Sequence, residues 1–380
     1  MILSREGIRR LLSGRLWISR QEVEEAPELS AGELALVYTP QGQPLATAYF
    51  NPQSRIFGRV LARGEVSINE DFFRRRFREA FSLRKKLFAT ETCFRLVHGE
   101  GDFLPGLTID LYHEVAVIQI STAGMERLKP FLLKALREEF PLRGLVWRND
   151  LPVRQEEGLP LYVKAEGLKG PFWVQIDGLF FLVDPVNGQK TGFFLDQREN
   201  RRRLTRYVEG KVVLDLFCYT GAFALVAAAA GAKKVLAVDR SGAALEIAEE
   251  NARRNQLADR VTFIQDEVEH FLCYAPEAET IVLDPPAFIK HHRARKKGRK
   301  RYRTLNRKAL DKLLPGGVLF TSSCSHFLSV EDLKAVVQEA ATGRPLRLLE
   351  IGLQAPDHPI LLAMPETLYL KGLFLELAER

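Results

Sequence analysis

Cysteine is scarce in this sequence. Four cysteines occur among 380 residues, they lie far apart, and none belongs to a Cys-x-x-Cys pair. This scarcity argues against a disulfide framework and against the usual zinc-ligand spacings, so we predict no metal site. A reduced, cytoplasmic protein is the expectation that follows. The four are Cys93, Cys218, Cys273 and Cys324.

Long hydrophobic runs are missing as well. The longest run of small apolar residues, residues 222–232, is far shorter than the ~20 residues that a membrane-spanning helix needs. The opening residues, MILSRE, lack the apolar core of a secretory signal peptide. We therefore expect no membrane partner.

The apolar and polar patterns divide the chain into three predicted domains. Residues 1–65 contain short strands separated by turn residues, which predicts a small β-rich domain. Residues 66–183 mix strand and helix patterns and predict an α+β domain. Residues 184–380 alternate buried strands with helices, which is typical of a doubly wound α/β domain with a parallel sheet. Its last pattern, residues 367–377, alternates strictly and predicts a final, antiparallel strand.

A helix is predicted over residues 66–90. Phe73, Phe77 and Phe81 recur at a spacing of four residues, with arginines and lysines between them. Such a stripe faces a core more often than it faces RNA. We therefore interpret the phenylalanines as core residues and the basic residues as a solvated face.

The first strand of the predicted α/β domain runs into the loop DLFCYTG, residues 215–221. A strand, a tight turn with glycine and a helix N-terminus together form a nucleotide-type site. The loop has a single glycine, it is not G-x-G-x-x-G, and no G-x-x-x-x-G-K-[ST] motif occurs, so it suits a ligand with adenosine and no phosphates. S-adenosylmethionine fits that description. The predicted cofactor residues in and after these strands are Asp215, Tyr219, Thr220, Gly221, Asp239 and Asp266.

Two further strand ends carry a carboxylate and a thiol. Asp284 begins the segment DPPAF, and Cys324 lies in SSCS, residues 322–325. Ligands of open α/β sheets bind at the carboxyl ends of the parallel strands, so both groups can face one substrate. A thiolate adds to an electron-poor ring carbon and can leave again, which is typical of covalent catalysis. Cys218 in the cofactor loop is interpreted as a packing residue.

The strongest charge signal follows the Asp-Pro-Pro turn. No acidic residue occurs from residue 285 to residue 310, although the net charge of the whole chain is only +7. We expect a flexible basic loop there that binds RNA phosphates with a steep salt dependence. Pro286 and Phe288 are expected to pack against an extruded base. The predicted phosphate contacts are Lys290, Arg293, Arg295, Lys296, Lys297, Arg299 and Arg301.

Together these motifs resemble the bacterial large-subunit rRNA cytosine-C5 methyltransferases that carry an N-terminal PUA domain. The resemblance spans the whole chain and rests on five segments: residues 95–110 (RLVHGEGDFLPGLTID), 189–198 (QKTGFFLDQR), 215–221, 284–288 and 322–325. It implies a PUA domain, a middle domain and a class I methyltransferase domain that uses S-adenosylmethionine. It also implies 23S rRNA, or a large-subunit assembly intermediate, as partner.

The resemblance further implies roles for single residues. Cys324 is the implied nucleophile, Asp284 the implied acid that contacts the base, and Gln197 the residue that closes over the cofactor. Many RNA cytosine-C5 methyltransferases of the wider superfamily have a second cysteine in the Asp-Pro-Pro region, and this sequence has Ala287 there. Release of the product must therefore use another base. We expect an electropositive setting for Cys324, because a free thiol with pKa ~8.5 is mostly protonated at neutral pH.

Two other functions fit part of the sequence. An enzyme that methylates an amino or ring nitrogen of an rRNA purine also uses an Asp-Pro-Pro turn, but needs no thiol. A non-catalytic rRNA-binding assembly factor could keep the fold without the activity, although Asp215, Gly221, Asp239 and Asp284 are all present. The target nucleotide and the oligomeric state, including a possible homodimer, are not specified by these motifs.

Overall fold

The computed structural model describes residues 1–289 and 291–379. The chain divides into two compact units. The first contains residues 1–177, 183–195 and 356–367, and the second contains residues 178–182, 196–355 and 368–380. The two predicted N-terminal domains, apart from residues 178–182, thus fall within one unit, which also contains residues 184–195 and 356–367 of the predicted α/β domain. None of the helices among the described residues is long and apolar enough to cross a membrane.

The first part of unit one is a six-stranded, mostly antiparallel sheet, in line with the small β-rich domain that the sequence predicts. The strand order is β2-β6-β5-β4-β1-β3. Helix α1 begins at a serine cap, because the side chain of Ser4 accepts a hydrogen bond from the Gly7 N–H. The elements are β1 Ile2–Leu3, α1 Arg5–Leu12, β2 Trp17–Ile18, β3 Val23–Glu25, β4 Glu33–Tyr38, β5 Pro44–Phe50 and β6 Gly58–Arg63.

The middle of the chain builds a five-stranded sheet with the order β11-β10-β9-β8-β7. The predicted phenylalanine stripe is confirmed as core, since Phe73 and Phe77 on α2 are fully buried and the partly buried Phe81 packs against the same core cluster. The elements are α2 Glu70–Leu87, β7 Cys93–His98, β8 Leu107–Tyr112, β9 Val115–Ile120, α3 Ala123–Arg127, α4 Lys129–Glu139, β10 Gly144–Asn149, α5 Val153–Glu156, β11 Tyr162–Glu166, β12 Phe172–Ile176 and β13 Leu179–Val183.

Unit two contains a seven-stranded sheet with the order β16-β15-β14-β17-β18-β20-β19. The first five of these strands are parallel, and β20 runs antiparallel to β18 and β19, which confirms the antiparallel final strand. The elements are α6 Arg198–Leu204, β14 Val212–Leu216, α7 Ala222–Ala229, β15 Lys234–Asp239, α8 Gly242–Arg254, β16 Val261–Gln265, α9 Val268–Tyr274, β17 Ala278–Leu283, α10 Arg295–Leu310, β18 Leu313–Ser323, α11 Val330–Ala341, β19 Leu346–Leu353 and β20 Lys371–Leu377.

The expectation of a flexible basic loop after the Asp-Pro-Pro turn is wrong for most of its length. Residues 295–310 form helix α10. The physical reason is an apolar stripe within the basic run: Tyr302, Leu305 and Ala309 are fully buried at helical spacing and pack against the sheet and its neighbouring helices. The basic residues occupy the outer face of this helix.

A buried ion pair anchors α2 within unit one. The guanidinium of Arg84 is completely buried and binds Asp102 through two parallel hydrogen bonds, one of which, from Nη2 to Oδ2, measures 2.6 Å. Arg84 also donates to the carbonyl oxygens of Arg95 and Asp357, each at 2.7 Å. A buried charge with this many partners is costly to leave without them.

We predict that Arg84→Leu lowers the free energy of unfolding by about 3–5 kcal/mol, because the Asp102 carboxylate stays buried without its cation. Chemical denaturation of the full chain measures this. The double variant Arg84→Leu/Asp102→Asn should lose less than the single variant. A single-variant loss below about 1 kcal/mol, as for an exposed ion pair, would contradict the assignment.

Candidate active site

Three aspartates follow neighbouring parallel strands at the same edge of the sheet. Leu216 of β14 pairs with Val238 of β15 on one side and with Leu283 of β17 on the other. Asp239 and Asp284 therefore follow at one level, just beyond Asp215 on the central strand. The structure brings together the strand-end acids that the sequence predicts.

The loop after β14 is held by two of these carboxylates. The Asp215 carboxylate accepts a hydrogen bond of 2.9 Å from the Ala224 N–H at the start of α7. Asp239 accepts from the N–H of Tyr219 and of Ser241, both at 2.9 Å. Both acids thus hold the backbone around this loop in place.

Backbone geometry explains the single glycine of this loop. Gly221 has φ +79°, in the left-handed region that favours glycine. A Cβ atom there would lie 3.1 Å from the Phe263 ring and 3.3 Å from Ala248 Cβ. Phe217 and Tyr219 also adopt positive φ, at 67° and 50°. Such strained backbone concentrates at ligand sites.

The crowding of carboxyl groups changes the titration of Asp215. Its pKa is raised to about 8, mainly by complete burial and further by the charges of Asp284 and Asp239. Burial also raises the pKa of the Cys218 thiol well above its usual range, with Asp215 and Asp239 adding to the effect. Cys218 is therefore a neutral packing residue, as interpreted. An edge with this excess of negative charge favours a cationic ligand such as a sulfonium.

The remaining predicted cofactor residues are placed as follows. Thr220 is buried, and its carbonyl oxygen accepts from Asn251 at 3.0 Å. Gln197 is buried, and its side-chain oxygen accepts from Asn200 at 2.6 Å. The carboxylate of Asp266 accepts from Tyr274 Oη at 2.6 Å and contacts His270 Nδ1 at 2.8 Å.

These contacts bear on Asp266, which as a predicted cofactor residue would accept a hydrogen bond from the amino group of adenine. The hydrogen bond from Tyr274 is the main reason that the pKa of Asp266 lies below its usual value, so this side chain is an ionised acceptor. Its oxygens already bind helix α9, on which both partners lie. The contact to adenine stays a prediction.

Cys324 lies in a turn that begins where β18 ends. Ser322, two residues before Cys324, donates a hydrogen bond to Oδ1 of Asp284, which directly follows the adjacent strand β17. Cys324 itself is half-buried, whereas Cys218 and Cys93 are buried. Cys273 is exposed on α9. Cys324 is thus the partly accessible thiol at the strand edge that also carries Asp284.

Tyr302 of α10 holds the two chemically important turns together. Its hydroxyl accepts from Ser323 Oγ at 2.8 Å, lies 3.1 Å from Ser325 Oγ and accepts from the Phe288 N–H at 3.5 Å. Ser325 Oγ also accepts from the Ile289 N–H at 3.3 Å. The DPPAF segment and the Cys324 turn are therefore fixed to each other through hydroxyl groups.

A second side chain reaches the same turn from the neighbouring strand. Lys371, at the start of β20, donates from Nζ to the carbonyl oxygen of Ser325 at 2.7 Å. Neither Tyr302 nor Lys371 was singled out from the sequence. The sequence does show that Lys371 shares one face of the last strand with Leu373 and Leu375, which is unusual for a lysine. Tyr302 was hidden within the basic run.

The predicted base-stacking residues differ in their surroundings. Pro286 is exposed. The ring of Phe288 is half-buried, lies 4.8 Å from the Tyr302 ring, and has the Arg301 guanidinium 4.2 Å from its centre. Phe288 thus packs within the protein. His326 is exposed, and its ring centre lies 5.8 Å from that of Tyr369.

The predicted phosphate contacts fall into two groups. Acidic side chains from other helices neutralise the first group, which corrects the expectation of a segment without counter-charge: Arg295 and Arg299 bind Asp332, and Arg301 binds Glu269. These carboxylates come from α11 and α9, distant in the sequence. The second group is exposed and forms no ion pair among the described residues: Arg293, Lys296 and Lys297. Lys290 lies outside the described residues.

Comparison with known protein families agrees with this geometry. Residues 1–63 match the model of a PUA-like domain, and residues 157–359 match the model of an S-adenosylmethionine-dependent methyltransferase. The strand-end acids, the bent loop and the shortage of phosphate-binding amides fit that cofactor, which Asp239 and the 215–221 loop would hold.

Curated relatives match over almost the whole chain. Proteins named ribosomal RNA large subunit methyltransferase I are 36% identical in Cronobacter sakazakii, with 98% of both chains covered, and 38% identical in Aeromonas hydrophila, with 96% of this chain and 95% of the relative covered. The relative from Pseudoalteromonas translucida is 38% identical over 90% of each chain.

Solved structures share the fold. A candidate SAM-dependent methyltransferase from Streptococcus mutans superposes with a TM-score of 0.84 at 22% identity, covering 99% of both chains. A candidate methyltransferase solved in complex with SAH gives a TM-score of 0.86 at 23% identity, again over 99% of both chains. On the sequence matches, this chain belongs to the ribosomal RNA large subunit methyltransferase I family of S-adenosylmethionine-dependent methyltransferases.

Proposed function

We propose that this enzyme methylates C5 of a cytosine in 23S rRNA, or in a large-subunit assembly intermediate, through a covalent bond between Cys324 and C6. The printed name of the relatives supports the rRNA of the large subunit as substrate. One observation carries the choice of cytosine C5: the half-buried Cys324 thiol and the Asp284 carboxylate lie on adjacent strand ends that Ser322 joins. The cytoplasm, where ribosomes are assembled, is the proposed location.

The thiol solves a specific chemical problem. C5 of cytosine is a poor nucleophile, and addition of a thiolate to C6 makes C5 enamine-like. S-adenosylmethionine, when bound, supplies an electrophilic methyl group on a sulfonium, which C5 would accept while S-adenosylhomocysteine leaves. Loss of the C5 proton then restores the ring and expels the Cys324 thiolate. An amino-group methyltransferase would have no use for a thiol at this position.

Asp284 is the proposed partner of the base. Its carboxyl group can bind the N3–N4 edge of cytosine, and a proton shared with N3 makes C6 more electrophilic. The hydroxyl of Ser322 fixes the orientation of this carboxyl group. The C5 proton is accepted by a group other than a second cysteine, since Ala287 occupies that region.

The target base must leave its stack to reach a turn at the sheet edge. The PUA-like domain and helix α10 are the proposed RNA-binding surfaces. On α10 and the short turn before it, we assign the phosphate contacts mainly to Arg293, Lys296 and Lys297, because these cations are exposed and form no ion pair among the described residues. Arg295, Arg299 and Arg301 first serve to hold the helix in place.

We predict that Cys324→Ala abolishes the formation of 5-methylcytosine in 23S rRNA, while binding of S-adenosylmethionine is retained, because the thiol acts on the base and not on the cofactor. Nuclease digestion and mass spectrometry of the nucleosides measure the product, and calorimetry measures cofactor binding. Cys273→Ala is the matched control, since this exposed cysteine lies on α9. Full methylation by Cys324→Ala would favour methylation of a purine nitrogen, and absence of cofactor binding by the folded wild type would favour the assembly factor.

We predict that Lys296→Gln/Lys297→Gln weakens RNA binding and lowers the slope of log K against log salt by about 1.4–1.8, because each phosphate contact contributes about 0.7–0.9. Binding titrations at several salt concentrations measure the slope. The control Lys334→Gln removes a lysine of α11 whose ion pair with Glu331 already neutralises it. An unchanged slope in the double variant would place the RNA elsewhere.

A further inference from the structure

Lys371 occupies a position where lysine is rare. It begins β20, pairs with Ser323 in the register of β18, and lies on the face that carries the buried Leu373 and Leu375. Only 2% of its surface is exposed. A lysine is almost never buried to this degree unless it is paired.

The contacts of Lys371 point to the Cys324 turn. Its Nζ donates to the carbonyl oxygen of Ser325 at 2.7 Å, one residue beyond the cysteine. Burial lowers the pKa of Lys371 to about 8, and the charges of Cys324 and Asp332 act in the opposite direction. At pH 7 the side chain is therefore still mostly an ammonium, and an anion at Cys324 stabilises that charge.

Asp332 is already neutralised by other cations. Its Oδ1 binds Arg295 at 2.9 Å and Arg299 at 2.8 Å, and its Oδ2 accepts from the Ser329 cap. Among the described residues, the ammonium of Lys371 reaches the Cys324 turn, whereas both arginines bind Asp332 on α11. In the described part of the chain, the charged and titratable groups around the turn include Asp284 after β17, Tyr302 of α10, Asp332 of α11, His326 in the turn and Lys371 of β20.

We propose that Lys371 is a positioning residue that stabilises the thiolate of Cys324. Its hydrogen bond to the carbonyl oxygen of Ser325 holds the turn so that the sulfur stays partly accessible. This inference deepens the proposed function and rests on it, because it supplies the electropositive setting that a nucleophilic thiol needs. A cation near a thiol lowers the pKa of the thiol, and the fraction of thiolate at neutral pH rises accordingly. The pairing is reciprocal, so the thiolate also keeps the buried lysine charged.

The test measures the thiol directly, without RNA or cofactor. The full-length chain with Cys273→Ser is alkylated by iodoacetamide from pH 5 to pH 10, and mass spectrometry follows the peptide that contains Cys324. Lys371→Gln keeps a hydrogen-bond donor for Ser325 but removes the charge, and Lys371→Arg keeps the charge. Lys334→Gln is the control for loss of a lysine from the adjoining helix.

The midpoint of alkylation should rise by about one pH unit or more in Lys371→Gln, stay near the wild-type value in Lys371→Arg and be unchanged in the control. If Lys371→Gln does not fold, Lys371→Met fills the apolar site and should show the same rise. An unchanged midpoint in either folded variant overturns the proposal, even if methylation is lost, because Lys371 would then act at a later step. A shifted midpoint together with full methylation by Cys324→Ala would refute the proposed function and leave the thiolate assignment standing.

Discussion

The hydrogen bond from Ser322 to Asp284 is the interaction on which the site depends. Parallel strands in register bring β17 and β18 to the same edge of the sheet, and this bond fixes the two strand ends at the level where the chemistry occurs. Asp284, the proposed partner of the base, and Cys324, the proposed nucleophile, thereby lie at the ends of rigid strands. Tyr302 adds a second brace, because its hydroxyl binds residues of both turns.

Beside the 215–221 loop, the same edge carries three carboxyl groups that lie close together, those of Asp215, Asp239 and Asp284. Burial, together with the charges of Asp284 and Asp239, keeps the carboxyl group of Asp215 protonated near neutral pH. Asp239 keeps the loop amides in place. Carboxyl groups thus line the edge beside the cofactor loop, which suits a sulfonium. The role proposed for Lys371 adds a positive charge at the Cys324 turn, which suits a thiolate.

Much of the α/β domain could be predicted from the sequence, because buried parallel strands are continuous apolar runs and their carboxyl ends must share an edge. Asp215, Asp239, Asp284 and Cys324 were all found in this way. The basic segment was wrongly predicted to be a flexible loop, because its many charges hid the apolar stripe of Tyr302, Leu305 and Ala309 that makes it a helix. Its counter-charges could not be predicted either, because Asp332, Glu339 and Glu269 come from other helices. Lys371 was missed for a related reason. The pattern of a strand does not show which turn of the fold its side chains contact.

A covalent bond between Cys324 and an extruded cytosine is the central claim. The most direct measurement incubates the wild-type enzyme and S-adenosylmethionine with rRNA that contains 5-fluorocytosine, whose fluorine blocks the final loss of a proton from C5. The account predicts a complex that survives denaturation, with the nucleotide mapped by mass spectrometry to Cys324. Methyl transfer to the rRNA without any trapped complex, or a nucleotide attached to another residue, would contradict it.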